Sequence, residues 1–138
     1  MSLAASYTTP ATTITTTNET LAANVPAMPV YEGGPGGGLA GIVIRGVVYV
    51  TTGTAAAKLT VNLRVGQNNT STNQVGTSNP VPCAASALFA VPFLFVDASA
   101  PVGGNLNNSG YSITVTQGSA TGNGTVTAVT YEVDRAPV

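Results

Sequence analysis

Apolar and polar residues alternate along several stretches of this chain, which is the pattern of β-strands that bury one face. The clearest stretch is 58–65. Its apolar row is Leu59, Val61, Leu63 and Val65, and its polar row is Thr60, Asn62 and Arg64. We predict a strand here, with the apolar row facing a core and the polar row facing outward.

The same period occurs twice near the C-terminus, in segments 111–116 and 129–134. The apolar rows are Tyr111, Ile113 and Val115 in the first segment and Val129, Tyr131 and Val133 in the second. Residues 117–124 between them (QGSATGNG) are typical of turns. The pattern predicts a β-hairpin from Tyr111 to Asp134. Because an isolated hairpin is at best marginally stable in water, a second sheet has to cover its apolar face.

A further strand, predicted over 39–52 (LAGIVIRGVVYVTT), is largely apolar on both faces. One face consists of Ile42, Ile44, Val48 and Val50, and the other of Val43, Arg45, Val47 and Tyr49. The core can cover only one of them, and contiguous exposed apolar patches mark contacts with other chains. We therefore predict a homo-oligomer, with Val43, Val47 and Tyr49 among its partner-binding residues.

Segment 84–96 (AASALFAVPFLFV) has the Ala and Leu of a helix, but Pro92 excludes a helix interior and the Phe residues after it favour a strand. A short edge strand is predicted at 74–76. With turn-forming residues between these segments and no amphipathic helix, the predicted fold class is all-β, an antiparallel β-sandwich or jelly roll. An immunoglobulin-like sandwich is the main competitor, but the Trp and the Cys pair typical of it are absent from the sequence.

The first 38 residues differ in composition from the rest. Residues 1–11 are small and polar, 12–23 are rich in Thr and fit a strand or edge segment, and 25–38 contain three Pro and five Gly. We divide the chain into an extended N-terminal arm and loop, 1–38, and a jelly-roll β-domain, 39–138. The larger apolar residues of the arm have no local core to enter, so we predict that they bind a partner. These residues are Leu3, Tyr7, Ile14, Leu21, Met28 and Tyr31.

Charged residues make up only 7% of the chain, against ~25% in ordinary domains, and the net charge is −1. With 43% hydrophobic residues the chain has enough apolar side chains to form a buried core, which argues against disorder. So few charges also argue against a freely diffusing monomer, since net charge is what usually keeps proteins apart. This balance gives no attraction for nucleic acid, and no apolar run is long enough to cross a bilayer. We predict neither nucleic acid nor a membrane as a partner.

Residues that carry catalysis are sparse. The chain has no His, so the commonest general base, a Ser-His-Asp triad and the usual zinc sites are all excluded. Cys83 is the single Cys, which rules out an internal disulfide, and its apolar neighbours predict a buried small side chain. The G-x-G-x-x-G match at 36–41 precedes a strand, so no helix N-terminus is there to bind a pyrophosphate. Asp97 is predicted to cap a turn. We predict that the chain is not an enzyme and has no cofactor.

One pair of carboxylates could bind a metal. Glu132 and Asp134 lie two residues apart on a predicted strand and so share a face, where they could hold Ca²⁺ together with backbone oxygens. Ion pairing with Arg135, or with Arg45 or Arg64 across the sheet, is the interpretation that we favour. No metal site is therefore predicted.

Two segments resemble a known class of protein. Residues 52–66 (TGTAAAKLTVNLRVG) and 111–133 (YSITVTQGSATGNGTVTAVTYEV) are similar to the strand-turn-strand units of small jelly-roll domains in tailed-phage virions. Those domains are similar in outline to trimeric tumour-necrosis-factor-like and C1q-like modules, and they serve as head decoration (cement) proteins or as fibre tips. The resemblance covers about residues 39–134 and implies no catalytic residue.

The resemblance implies a structural virion protein: a decoration or cement protein on the capsid surface, bound to the major capsid protein as a homotrimer. The alternative is a phage fibre or spike head that recognises a host receptor or glycan. Loops 67–79 and 98–110 contain no aromatic residue that could form a binding platform, which favours the cement protein. A single-jelly-roll capsid subunit is a further hypothesis, but such subunits usually carry basic arms for the genome, and residues 1–38 contain no Lys or Arg.

Overall fold

The computed structural model describes residues 2–7, 12–14, 19–25, 42–67, 74–97, 110–118 and 124–135. These residues form ten strands in two antiparallel five-stranded sheets. Sheet A consists of β1 (Ser2–Tyr7), β2 (Thr12–Ile14), β4 (Ile42–Thr51), β8 (Leu88–Asp97) and β10 (Gly124–Arg135). Sheet B consists of β3 (Thr20–Val25), β5 (Ala57–Val65), β6 (Gln74–Thr77), β7 (Val81–Cys83) and β9 (Tyr111–Gly118). No helix long and apolar enough to span a membrane occurs in these ranges.

The strand order identifies the fold as a jelly roll. Sheet A runs β1-β10-β4-β8, with β2 beside β1 on the same edge of β10; sheet B runs β3-β9-β5-β6, with β7 beside β6 on the same edge of β5. Each sheet therefore has four strand positions. Followed from the N-terminus, the chain moves to the other sheet from each strand position to the next. The exception is the step from β5 to the position shared by β6 and β7, which stays in sheet B. Eight positions in two sheets with such crossovers are the jelly-roll arrangement, so the predicted fold class is confirmed.

The core lies between the two sheets and is built from the apolar rows that the alternation predicts. Leu59, Val61 and Leu63 of β5 are buried, as are the inner rows of β9 and β10, and Val65 is half-buried at the strand end. Cys83 is also buried, as predicted. On β8, Phe93 and Phe95 point into the core with their rings stacked and their centroids 5.5 Å apart.

The predicted hairpin from Tyr111 to Asp134 is wrong. β9 lies in sheet B between β3 and β5, whereas β10 lies in sheet A between β4 and the edge formed by β1 and β2. The two strands face the same core from opposite sides. Each therefore alternates an inward apolar row with an outward polar row, and a hairpin covered by a second sheet has the same pattern. β9 ends at Gly118 in sheet B, and β10 begins at Gly124 in sheet A.

The outer face of sheet B is more buried than its sequence predicts. Ser112 and Thr114 are fully buried and Asn62 is nearly so, although all three belong to rows predicted to face outward. Hydrogen bonds satisfy them: the Ser112 hydroxyl donates to the Gly66 carbonyl, and the Asn62 side-chain amide donates to the Thr116 hydroxyl. These polar residues cost little to bury because each has a partner.

The described residues of the predicted arm belong to the sandwich. β1 pairs with β10 from Ser2↔Asp134 to Tyr7↔Val129, and β3 pairs with β9, placing Ala22, Ala23 and Val25 in the core. The Thr-rich segment 12–23 was predicted as a strand or edge, and β2 and the start of β3 fall within it. The boundary at residue 38 lies outside the described residues and stays a prediction.

Candidate interaction face

Strand β8 exposes an apolar row on the outer face of sheet A. Its residues alternate between the core and solvent along the whole strand: Val91, Phe93 and Phe95 point inward and are buried. The residues between them point outward and are exposed. Among these, Leu88 is 66% exposed, Leu94 62% and Val96 52%, and they are the large apolar side chains most open to solvent in the described residues. Ala90 and Pro92 complete the row.

Strand β4 places its own outer row directly beside that of β8. Their antiparallel pairing runs without a bulge from Ile42↔Asp97 to Thr51↔Leu88. Because paired residues share a face, three of the predicted partner-binding residues lie next to exposed residues of β8. The neighbouring pairs are Val43 with Val96, Val47 with Pro92, and Tyr49 with Ala90. We call the surface formed by these residues with Leu88 and Leu94 the apolar face.

The charged residues described on the outer side of sheet A form a pair. Arg45 lies in the middle of the outer row of β4, and its guanidinium Nη2 lies 3.2 Å from Oε1 of Glu132 on β10. This is one of the pairings that the sequence predicts for Glu132. The two side chains are 46% and 36% exposed, so the pair contributes little to folding stability. It does leave the described part of this surface electrically neutral.

Among the described strands none pairs with the outer edge of β8, and Pro92 interrupts that edge. Proline has no N–H to donate to a sheet, so Pro92 cannot belong to a hydrogen-bonded pair with Val47, and its backbone must point toward the open edge. The backbone groups of the other outward residues point to that edge as well, because hydrogen-bonding direction alternates along a strand. An added strand would therefore miss a hydrogen bond at the middle of β8. A partner is favoured on the face of the sheet, not on its edge.

The remaining predicted site residues lie elsewhere. Leu3 and Tyr7 are in β1 and Ile14 is in β2, on the edge of sheet A opposite β8. Leu21 is half-buried in β3 of sheet B, and Met28 and Tyr31 lie outside the described residues. The structure thus brings Val43, Val47 and Tyr49 together, and it places Leu3, Tyr7, Ile14 and Leu21 on other strands. The partner-binding role of all nine stays a prediction.

Sequence analysis missed the residues of β8 as members of a site. The signal was present, because segment 84–96 is apolar at both alternating positions, as 42–50 is. A strand that is apolar on both faces predicts a second contact surface for 84–96, as it does for β4.

An ion pair on sheet B has a structural role. The Glu19 carboxylate accepts two hydrogen bonds from the Arg64 guanidinium, both of 2.6 Å, and a third of 2.9 Å from the Thr114 hydroxyl. The Arg64 hydrogen bonds lower the pKa of Glu19 and raise that of Arg64. Both carboxylate oxygens of Glu19 accept hydrogen bonds within the fold, and the pair ties the residue before β3 to β5 and β9.

The other groups that could carry chemistry are isolated. Burial raises the pKa of the Cys83 thiol, which disfavours the reactive thiolate, and the thiol donates to the Val81 carbonyl. A cavity of about 360 Å³ beside β5 and β7 is lined by Cys83, Lys58 and small apolar residues. In the described ranges no group of three or more His, Cys, Asp or Glu is placed to hold a metal ion.

Comparisons with known proteins give only distant likenesses. No protein-family model matches the chain, and no curated protein matches it. A chain in the structure of infectious bursal disease virus strain Gx is similar over 97% of this chain, with 14% identity and a TM-score of 0.45. A chain of strain Gt covers 98% with 12% identity and a TM-score of 0.47, and one in a T13 particle of the same virus covers 94% with 12% identity and a TM-score of 0.40. The present chain spans 30%, 30% and 36% of their respective lengths.

Proposed function

We propose that this chain is a structural virion protein, a decoration or cement protein that binds the outer capsid surface and stabilises the particle. One observation carries the proposal. An antiparallel sheet presents a contiguous row of exposed apolar side chains, with Leu88, Leu94 and Val96 each more than half exposed. Contiguous exposed apolar patches on folded proteins mark interaction surfaces.

The energetics of that face favour a protein that works in contact with others. Burying a large apolar side chain gains roughly 1.5–3 kcal/mol compared with leaving it in water. Several such side chains are aligned here on two paired strands, so a partner can cover them together without any loss of backbone freedom in this chain. A role through contacts also agrees with the low charge content, 7% of residues.

The proposal assigns two surfaces to two partners. The apolar face serves self-association into a homo-oligomer. The N-terminal residues predicted to bind a partner, from Leu3 to Tyr31, serve attachment to the major capsid protein. β1 and β2 form the edge of sheet A away from β8.

The test of the function is the location of the protein and its effect on particles. An antibody against the chain should detect it in purified virus particles in a fixed ratio to the shell protein. Particles stripped of the protein should bind it again and survive heating better once they have. A protein absent from particles would contradict the proposal.

The test of the attachment surface is a deletion of residues 1–11 measured on stripped particles. We expect weaker binding. Because β1 pairs with β10 along six residues, circular dichroism and thermal unfolding of the deletion variant have to accompany the assay. The double substitution Ala4→Gln and Ser6→Gln, at the β1 positions that pair with Glu132 and Thr130, tests the same strand without removing it, with Lys58→Ala as a control elsewhere. Undiminished attachment by a folded variant would favour the fibre or spike head that recognises a receptor.

A second candidate, a subunit of the capsid shell itself, is favoured by the strand order. Jelly rolls of eight strands in two sheets are typical of viral capsid domains. Electron microscopy of the purified protein separates the two candidates. A shell subunit forms closed particles by itself, whereas a decoration protein needs a preformed shell.

A further inference from the structure

The outward residues of β8 form a pattern that is complementary to itself. From Leu88 to Val96 the row reads Leu, Ala, Pro, Leu, Val, with Pro92 at the centre. When a second copy of the row is turned by 180° about Pro92 and laid over the first, small Ala90 of one copy lies opposite large Leu94 of the other. Leu88 then lies opposite Val96. A large side chain thus meets a small one on either side of the centre, which is what close packing between two surfaces requires.

The neighbouring row on β4 has the same property. Val47 is the residue paired with Pro92, so it lies at the centre, and reversal places Arg45 opposite Tyr49. A guanidinium over a phenol ring is a favourable contact. Arg45 stays bonded to Glu132 of its own chain, so neither charge is buried alone.

From these two rows we propose that two copies of this chain pack sheet A against sheet A through the apolar face. The two-fold axis lies between the sheets and crosses the strands along the row Pro92–Val47–Thr130. Leu94 of each copy fills the space over Ala90 of the other. The inference specifies the self-association in the proposed function and rests on that part of it.

Three features favour a second copy over an unrelated partner as the occupant. The charges described on this face, Arg45 and Glu132, cancel each other, so they favour neither an acidic nor a basic partner. It is complementary to itself, which is the condition for a closed two-fold contact. Pro92 disfavours strand addition at the β8 edge, so a second copy is directed onto the face, where sheets stack ~10 Å apart with nearly aligned strands.

A two-fold contact gives assemblies with an even number of copies. By itself it gives a dimer, and combined with a separate three-fold contact, as in the homotrimer that the resemblance implies, it gives a hexamer. The mass of the assembly therefore reports on this contact. Removing the contact should halve that mass, from dimer to monomer or from hexamer to trimer.

The first experiment removes a central contact. Leu94→Gln should weaken association at least about tenfold, because Leu94 fills a space at the centre of the interface. Ala85→Gln, an exposed position away from the face, is the matched control and should associate like the wild type. Sedimentation equilibrium measures the mass, and thermal unfolding checks that both variants fold. A monomeric wild type, or equal association of Leu94→Gln and wild type, would overturn the proposal.

The second experiment tests the register of the contact. Ala90→Leu adds apolar surface at an exposed position, so it would strengthen non-specific association. The proposed packing leaves no room for a Leu side chain at this position, so there the association of two copies should weaken by at least about tenfold. The swap Ala90→Leu with Leu94→Ala restores a large residue opposite a small one and should restore association. Tighter association of Ala90→Leu, or a swap no better than Ala90→Leu alone, would reject the two-fold register. Both experiments use the isolated protein, so their outcome is independent of whether it binds a capsid.

Discussion

The phenolic hydroxyl of Tyr111 donates a hydrogen bond of 2.5 Å to the Oδ2 atom of Asp97. Both side chains are buried, Asp97 at the end of β8 in sheet A and Tyr111 at the start of β9 in sheet B. The bond therefore joins the two sheets directly, and it joins the two ends of the segment 98–110. Sequence analysis predicted that Asp97 caps a turn. The hydrogen bond described for its carboxylate is with β9; the turn after Asp97 lies outside the described residues, so the cap stays a prediction.

Tyr111→Phe should reduce the free energy of unfolding by about 1.5–3 kcal/mol, because it removes a hydrogen bond to a buried acidic group while keeping the ring. Tyr49→Phe is the control, since that hydroxyl lies on the half-exposed outer face. It should change stability by less than about 0.5 kcal/mol. Urea unfolding gives both values. Equal effects of the two substitutions would mean that the Asp97 contact contributes nothing to stability.

Gly46→Ala should destabilise the protein by about 1–3 kcal/mol, although Ala suits a strand better than Gly. A Cβ atom at Gly46 would overlap the carbonyl oxygen of Thr130 and lie 2.8 Å from the Cα of Tyr131, so the backbone of β10 would have to move.

Gly118→Ala is the control for this substitution. A Cβ there meets its nearest atom, the Lys58 carbonyl oxygen, at an ordinary 3.7 Å. We expect it to be neutral or slightly stabilising. Thermal unfolding of both variants provides the comparison, and a tolerated Gly46→Ala would show that β4 and β10 are not packed this closely.

Stability should fall in acid more steeply in the wild type than in Glu19→Gln. The hydrogen bonds from Arg64 hold the pKa of Glu19 below its ordinary value of 4.5 in the folded chain. A lowered folded pKa gives stability that is complete above the unfolded pKa and is lost as the pH falls through the folded one. The difference between wild type and Glu19→Gln should therefore be largest at neutral pH and shrink below about pH 4.5.

Glu132→Gln is the control for the acid experiment. It removes the more exposed Arg45 pair and should cost at most about 1 kcal/mol at neutral pH. Chemical denaturation at a series of pH values measures these differences. A gap between wild type and Glu19→Gln that does not change with pH would contradict the role given to the Arg64 pair.

Substitutions in the two rows of β5 and β9 test the register. Leu63→Ala and Ile113→Ala should cost about 2–5 kcal/mol, because both side chains are fully buried in the core. Thr60→Ala should stay within about 1 kcal/mol, as expected for the outward row.

Thr114 is buried although it belongs to a row predicted to face outward. Thr114→Ala should cost more than Thr60→Ala, about 1–2 kcal/mol, because Thr114 is fully buried and donates to Glu19. Denaturant midpoints rank the four variants, and a Thr60→Ala as damaging as Leu63→Ala would mean that the rows are reversed.

The positions of the strands and their inward rows could be predicted from the sequence because alternation is a local property. A residue at every second position points to the same side, so the pattern around Leu63 or Ile113 shows which side chains enter a core. Pro92 and the absence of long helical periodicity were enough to identify an all-β sandwich. The outward row of β4, with Val43, Val47 and Tyr49, was predictable for the same reason.

Only the tertiary structure decided which sheet each strand joins. Strands on opposite sides of one core have the same alternation as strands of one hairpin, so β9 and β10 could not be told apart from a hairpin by their pattern. The contacts of Asp97 with Tyr111 and of Glu19 with Arg64 and Thr114 depend on that choice. So does the apolar face, because β4 and β8 lie far apart in sequence and become neighbours only when the sheet forms. Alternation specifies the direction of each side chain, whereas the partner of each strand is set by packing across the whole molecule.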